Sequence, residues 1–152
     1  MAKFRFRLAT LQKLREIHRD ELRSKLAEAV QAQQILEAQF AELTVEIATL
    51  ESMRRKAVTN PTINVDPLLE AQRYQGVLLA QQAKMREQMR LLSAEVERRR
   101  EAVVESDRHV KVLEKLHDRK LEEFREERQR AETKVLDEVA ARRGEEADLW
   151  QA

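Results

Sequence analysis

The residues with the most chemistry to offer in this 152-residue chain are three histidines, one tyrosine and one tryptophan. Glu114-Lys115-Leu116-His117 has the E-x-x-H spacing with which bundle helices hold di-iron centres. Such a centre draws that motif from two helices and further carboxylates from two more; here it occurs once. The sequence therefore points to charged residues beside a helix seam. With no cysteine, thiolate metal sites are excluded. Gly76 and Gly144 stand alone, so no glycine-rich loop can cradle a phosphate. Arg98-Arg99-Arg100 could suggest nucleic acid, but Glu95, Glu97 and Glu101 flank it, which makes it a surface ion-pair cluster. Trp150 is an isolated aromatic near the end of the chain. The expectation is a protein with no catalytic residue, cofactor or metal.

The elements that would position any site are helical. Charged residues make up 38 % of the chain and aromatics 4 %, with two Gly and two Pro. Sheet-rich folds need more turns than two glycines supply. A formal net charge of +1 argues against a general nucleic-acid binder, which needs a basic excess to neutralise phosphates. The longest apolar run is Val77-Leu78-Leu79-Ala80, far short of the ~20 residues that span a bilayer. No apolar stretch follows the start, so no secretory signal is expected, and the chain reads as cytoplasmic.

One segment, Thr59 to Pro67, looks non-helical, because Pro61 disfavours helix at Asn60. Asp66-Pro67 reads as a restart, with Asp66 as N-cap and Pro67 at the first helical position. Gly144 reads as a stop. The expected order is one helix over about 8–58, a loop over about 59–66, a second helix over about 67–143, and a frayed tail over 144–152. A 4-3 spacing runs through the first helix as Leu22, Leu26, Ala29, Gln33, Leu36, Phe40, Leu43, Ile47, Leu50, Arg54 and Ala57. The second repeats it as Leu78, Gln82, Met85, Met89, Leu92, Val96, Arg99, Val103, Ser106, Val110 and Leu113. A period of 3.5 is the heptad signature of coiled coils, and a short loop makes long helices antiparallel neighbours. The predicted fold is an all-α antiparallel two-helix coiled coil, one hairpin over residues 1–152.

The helices differ in length, at ~75 Å against ~115 Å for a rise of 1.5 Å per residue. With a turn near Thr62, Leu8 faces the region of His117, and residues beyond Asp118 form an overhanging C-terminal helix. There the seam stutters, Leu113, His117 and Leu121 being spaced four and four, and then thins through Phe124, Arg128, Ala131, Val135 and Val139. The first helix also loses phase near its start, at Leu8, Leu11, Leu14 and Ile17. Charge is segregated too. Residues 1–26 carry eight bases against three acids, whereas residues 27–51 carry five Glu and no base.

The N-terminal run Lys3-Phe4-Arg5-Phe6-Arg7-Leu8, followed by Leu11, Leu14 and Arg15-Glu16, resembles the opening of the FliJ family of flagellar type III export proteins. Phe124-Arg125-Glu126-Glu127-Arg128, Glu132, Leu136-Asp137-Glu138 and Ala140 resemble its ending. The resemblance implies a non-enzymatic stalk, similar to the central stalk of rotary ATP synthases. Such a stalk docks in the export ATPase ring, contacts the membrane export gate subunit and serves as a general export chaperone at the inner face of the membrane. It implies ring contacts at the basic end, for which Arg5, Arg7, Arg15, Arg19, Leu121, Phe124 and Val135 are the candidates. An approximate alignment by helix position places the gate contact at Leu43, Leu50, Tyr74 and Leu78. Leu43, Leu50 and Leu78 also fall on the seam, where packing alone would explain them; Tyr74 lies off it. A stalk of a virulence-type secretion system has the same shape. A self-associating scaffold is the reading from another class, although Pro61 and Pro67 interrupt the continuous seam it would favour. The stalk is expected to be a monomer when free.

Overall fold

In a computed structural model the backbone is described for residues 3–151 and the side chains for residues 3–144. Two long helices, α1 (Ala9–Val58) and α2 (Val65–Gln151), pack against each other as a hairpin. Both start and stop for local reasons. Leu8 accepts a backbone bond from Gln12 at 2.9 Å and opens α1. At its other end the Thr59 hydroxyl donates to the carbonyls of Lys56 at 2.8 Å and Arg55 at 3.4 Å, occupying acceptors that the last turn leaves open. Arg55 and Lys56 place positive charge at that negative end of the dipole. The connection, residues 59–64, is shorter than expected. α2 begins two residues before Pro67, so Asn64 stands at the cap position and Asp66 lies inside the first turn. Pro67 is tolerated there because a first-turn N–H has no helical partner. The helix also runs through Gly144, which has no positive φ and forms no left-handed cap. A glycine inside a helix costs only about 1 kcal/mol relative to Ala, and Glu145-Glu146-Ala147 after it are good helix formers. The Trp150 side chain and Ala152, at the end of the expected frayed tail, lie outside the described residues.

The chain divides into two compact units. The first comprises residues 20–105 and contains the turn. Every α1 position of the seam from Leu22 to Ala57, and every α2 position from Leu78 to Val103, is buried or half-buried here. Leu43, Ile47 and Leu78 form its tightest cluster, with Leu50 and Met85 packed against it. Cross-helix polar bonds flank the cluster. Gln82 donates to Thr44 at 3.2 Å, and Gln75 donates to Glu51 at 3.2 Å while accepting from Arg54. Arg99, a charged residue on the seam, lies half-buried and donates to the Lys25 carbonyl at 2.6 Å and to Glu95 at 2.7 Å. The seam tolerates an arginine because these acceptors satisfy its guanidinium. Arg98 and Arg100 pair with Glu95 and Glu97, so the arginine triplet is the ion-pair cluster that its flanking acids implied.

The second unit comprises residues 1–19 and 106–152. Val110 is its most enclosed side chain, with no exposed surface, beside Ser106 and Leu113. The Ser106 hydroxyl is buried without a hydrogen-bond partner. After Leu113 cover continues at His117, Leu121 and Phe124, following the stutter, and then ends: every residue from Arg125 to Gly144 is exposed. That stretch is dense in ion pairs one turn apart, including Arg128–Glu132 at 2.9 Å and Arg130–Glu126 at 3.3 Å. Such pairs support a helix whose remaining large apolar residues, Val135, Leu136 and Val139, lie uncovered.

Candidate docking surfaces

Residues 3–8 build the first surface. They lie ahead of α1 and alternate with a period of two: Phe4 and Phe6 are half-buried, while Lys3, Arg5 and Arg7 are exposed. Extended backbone sends successive side chains to opposite sides, so the aromatics face α2 and the cations face away from it. Phe4 meets the His117 ring edge-on at 5.5 Å and the Phe124 ring at 5.7 Å. Phe6 also meets the His117 ring edge-on, at 5.2 Å. The His117 Nδ1 lies 3.1 Å from the Asp118 carboxylate. His117 is therefore the centre of an aromatic clamp. Among the described residues no group of three or more His, Cys, Asp or Glu is placed to hold a metal.

A groove of about 670 Å³ runs beside the clamp, lined by Phe4, Phe6, Leu8, Leu116 and Phe124 together with the cations Arg5 and Arg7. Of the candidate ring contacts, Arg5, Arg7, Phe124 and, one turn away, Leu121 come together here. Arg15 is exposed on α1. Arg19 instead lies 3.9 Å from Asp107 across the two helices and is mostly covered. Val135 is exposed on the stretch beyond Phe124 and is not part of the groove. The sequence reading missed Phe4 and Phe6 as packing residues, although the alternation Lys-Phe-Arg-Phe-Arg carried the signal for an aromatic strap.

The start of α1 holds the other surprise. Its half-buried positions are Gln12, Glu16 and Arg19, whereas Leu8, Leu11, Leu14 and Ile17 are all exposed. Gln12 donates to Glu16 at 3.3 Å, so the polar face turned to α2 is partly self-satisfied.

The second surface lies near the turn. Leu43 and Leu78 are 8 % and 3 % exposed, and Leu50 packs on the same cluster. These three gate candidates have their side chains committed to the core. Tyr74 is about half exposed, and its hydroxyl donates to the Glu46 carboxylate across the helices. That bond, reinforced by partial desolvation and by the charge of Glu46, raises the Tyr74 pKa above its ordinary value. A group with a raised pKa keeps its stabilising bond below the unfolded pKa and loses it as pH climbs through the folded one. Tyr74 is the only tyrosine, so absorbance at the phenolate band reads it directly. Its midpoint is expected above that of a free tyrosine and should fall in Glu46→Gln; equal midpoints in both proteins would break the bond assignment. Beside Tyr74 the turn exposes Val58, Val65 and Leu69 along a groove of about 810 Å³ that also holds Arg54, Arg55 and Glu51.

The family model described as "Flagellar FliJ protein" matches residues 4–147. The chain belongs to the FliJ family. The match spans both docking surfaces, from Phe4 of the clamp through the turn to the exposed stretch of α2, and it makes this FliJ-family chain a component of the flagellar export apparatus. No curated protein and no solved structure matches it significantly. Among the described residues, no helix is long and apolar enough to cross a membrane.

Proposed function

We propose that this FliJ-family chain is a non-enzymatic stalk that links the export ATPase ring to a membrane export gate subunit and serves as a general export chaperone. It works in the cytoplasm at the inner face of the membrane and is a monomer when free. The observation that carries the reading is the presence of two unlike surfaces in the two units. One is basic, with an apolar groove beside it; the other is a turn region with a half-exposed tyrosine. The antiparallel coiled coil belongs to this reading and is supported by the cross-helix partners. Their numbers fall on α1, from Glu51 through Thr44 to Lys25, as they rise on α2 from Gln75 through Gln82 to Arg99. The exposed stretch after Phe124 would then be a C-terminal overhang.

In the ring contact, Arg5, Arg7 and Arg15 supply attraction during encounter and the apolar groove supplies fit. In the gate contact Tyr74 is the accessible anchor, and Leu43, Leu50 and Leu78 shape the backbone beneath it. A pull-down of the tagged chain from its native cell tests the whole reading, and an ATPase and a gate subunit are expected to come with it. Reversing Arg5, Arg7 and Arg15 to Glu should lower ATPase recovery about tenfold or more and leave the gate subunit bound, while Tyr74→Ala should do the opposite. Recovery of neither partner from the unaltered chain, or of both in full from each variant, would overturn the assignment.

A further inference from the structure

Residues 3–8 are held to α2 by their side chains and leave most of their backbone open. Phe4 and Phe6, two residues apart, both meet the His117 ring. On a helix side chains two apart diverge by about 200°, so sharing one ring requires extended backbone. Only two backbone bonds reach this strap: the Phe6 carbonyl accepts from Ala9 at 3.2 Å and the Leu8 carbonyl from Gln12 at 2.9 Å. Successive residues of an extended chain turn their N–H and C=O groups to opposite edges. Both bonds use the edge of the even-numbered residues, and among the described residues the edge of Lys3, Arg5 and Arg7 has no backbone partner. Such an open edge is a template on which another chain can pair as a strand.

Charge and the neighbouring groove say what pairs there. Lys3, Arg5 and Arg7 are exposed and make no ion pair among the described residues. Extended backbone spaces them at intervals of roughly 6.6 Å on one face. No acid occurs from Lys3 to Arg15. The groove of about 670 Å³ lies along the strap, with Leu116, Glu123, Phe124 and Glu127 on its α2 side. Glu123 is already paired, with Lys120 at 2.5 Å and Arg119 at 3.2 Å. That leaves Glu127 as the one acid of the lining without an ion pair, against three such cations on the strap.

A strand added to the strap shares its alternation, because side chains directly opposite lie on the same face. Positions opposite Lys3, Arg5 and Arg7 call for carboxylates. The positions between them turn toward α2, where Leu116 and Phe124 call for aliphatics. The strap of a second copy would set cation against cation, which opposes pairing. A helix has its backbone groups bonded internally, and an anionic lipid surface would meet the cations while leaving the edge open.

We infer that residues 3–7 accept, as an added β-strand, an extended segment in which acidic and aliphatic residues alternate. The open edge supplies main-chain bonds, the three cations set the register, and the groove takes the aliphatics. The inference deepens the ring contact and rests on that reading, the segment being the part of the ring that the strap meets.

The test uses the full chain and a short synthetic peptide in which Glu alternates with Val. A second peptide has the same composition with its Glu residues consecutive. A third is the first with N-methyl groups on successive backbone nitrogens, which closes both edges without changing its charge. The alternating peptide is expected to bind, with affinity falling as salt rises, and to slow hydrogen exchange at the Arg5 and Arg7 amides. The other two peptides should bind about tenfold more weakly or not at all. Arg5→Gln/Arg7→Gln should weaken binding of the alternating peptide about tenfold. Lys56→Gln, at an exposed cation of the other unit, should leave it unchanged. The inference is overturned if the alternating peptide does not bind, if the rearranged or methylated peptide binds equally well, or if the strap amides exchange as fast in the complex as before. It is overturned equally if phosphatidylglycerol vesicles slow those amides and the peptide does not, or if the chain alone self-associates with them protected. ATPase recovered in the pull-down without strand pairing here would remove this inference alone. Strand pairing here without ATPase recovery would remove the ring assignment alone.

Discussion

Leu43→Glu is expected to lower the stability of the hairpin by several kcal/mol, whereas Val45→Glu, two residues on, leaves the melting temperature nearly unchanged. Leu43 is 8 % exposed at the centre of the Leu43–Ile47–Leu78 cluster, and Val45 is 66 % exposed. A carboxylate at Leu43 would be stranded between two apolar helices with no donor placed for it, and the desolvation of an unpaired charge is among the largest costs a single substitution can impose. Val96→Glu, at a 4 % exposed position on α2, should behave like Leu43→Glu. Few enclosed residues share the load: among the described residues the enclosed apolar side chains are Ala29, Leu43, Ile47, Leu78, Val96, Val110 and Leu113. Thermal unfolding followed by circular dichroism reads all three variants. Equal melting of Leu43→Glu and Val45→Glu would mean that the seam is not where the stability lies.

The contrast between these neighbours was legible in the sequence, because the two residues differ in helical phase and only one falls on the heptad positions. The same rule placed cover on both helices from Leu22 to Ala57 and from Leu78 to Leu113. It worked there because two helices with one interface have a single solution for burying a stripe of period 3.5. It stopped working where α1 begins. There the sequence loses phase at Leu8, Leu11, Leu14 and Ile17, and the structure covers Gln12, Glu16 and Arg19 instead. The phase that reaches α2 at those turns is set by the long register from Leu22 onward, and the local leucines cannot override it.

Helix ends were less legible for a related reason. Asp66-Pro67 and Gly144 are signals of position in a cap, yet each is tolerated one or more residues inside a helix when neighbouring residues propagate it. The candidate sites divide the same way. Composition located the basic surface, but no single-sequence pattern could separate Arg19, drawn across to Asp107, from Arg15, which stays exposed. Tyr74 was singled out as an off-seam aromatic, and only the fold brings Glu46 within reach of its hydroxyl from 28 residues away.

Removing both strap aromatics, as Phe4→Ala/Phe6→Ala, is expected to be the largest change available outside the seam. Each ring is half-buried and pays its cost at the same hub, His117, with Phe124 behind it. Burial of a phenyl ring contributes roughly 1.5–3 kcal/mol when complete, and a favourable aromatic pair adds about 0.5–1.5 kcal/mol. Two half-covered rings sharing three contacts should therefore lose about 2–4 kcal/mol between them. The loss is local: residues 3–8 hold only two backbone bonds into the start of α1, Ala9 to Phe6 and Gln12 to Leu8. Without the rings the strap should release while the cluster around Leu43 keeps its packing. Hydrogen exchange is the measurement that separates the two. Protection should fall in residues 4–12 and in the turn of α2 around His117, and stay at the parent level at Leu43 and Leu78. Because the two rings share His117, the single variants should not add to the double, the signature of residues that act through one partner. Full protection at the strap in the double variant, or additive singles, would show that Phe4 and Phe6 rest on α2 without holding it.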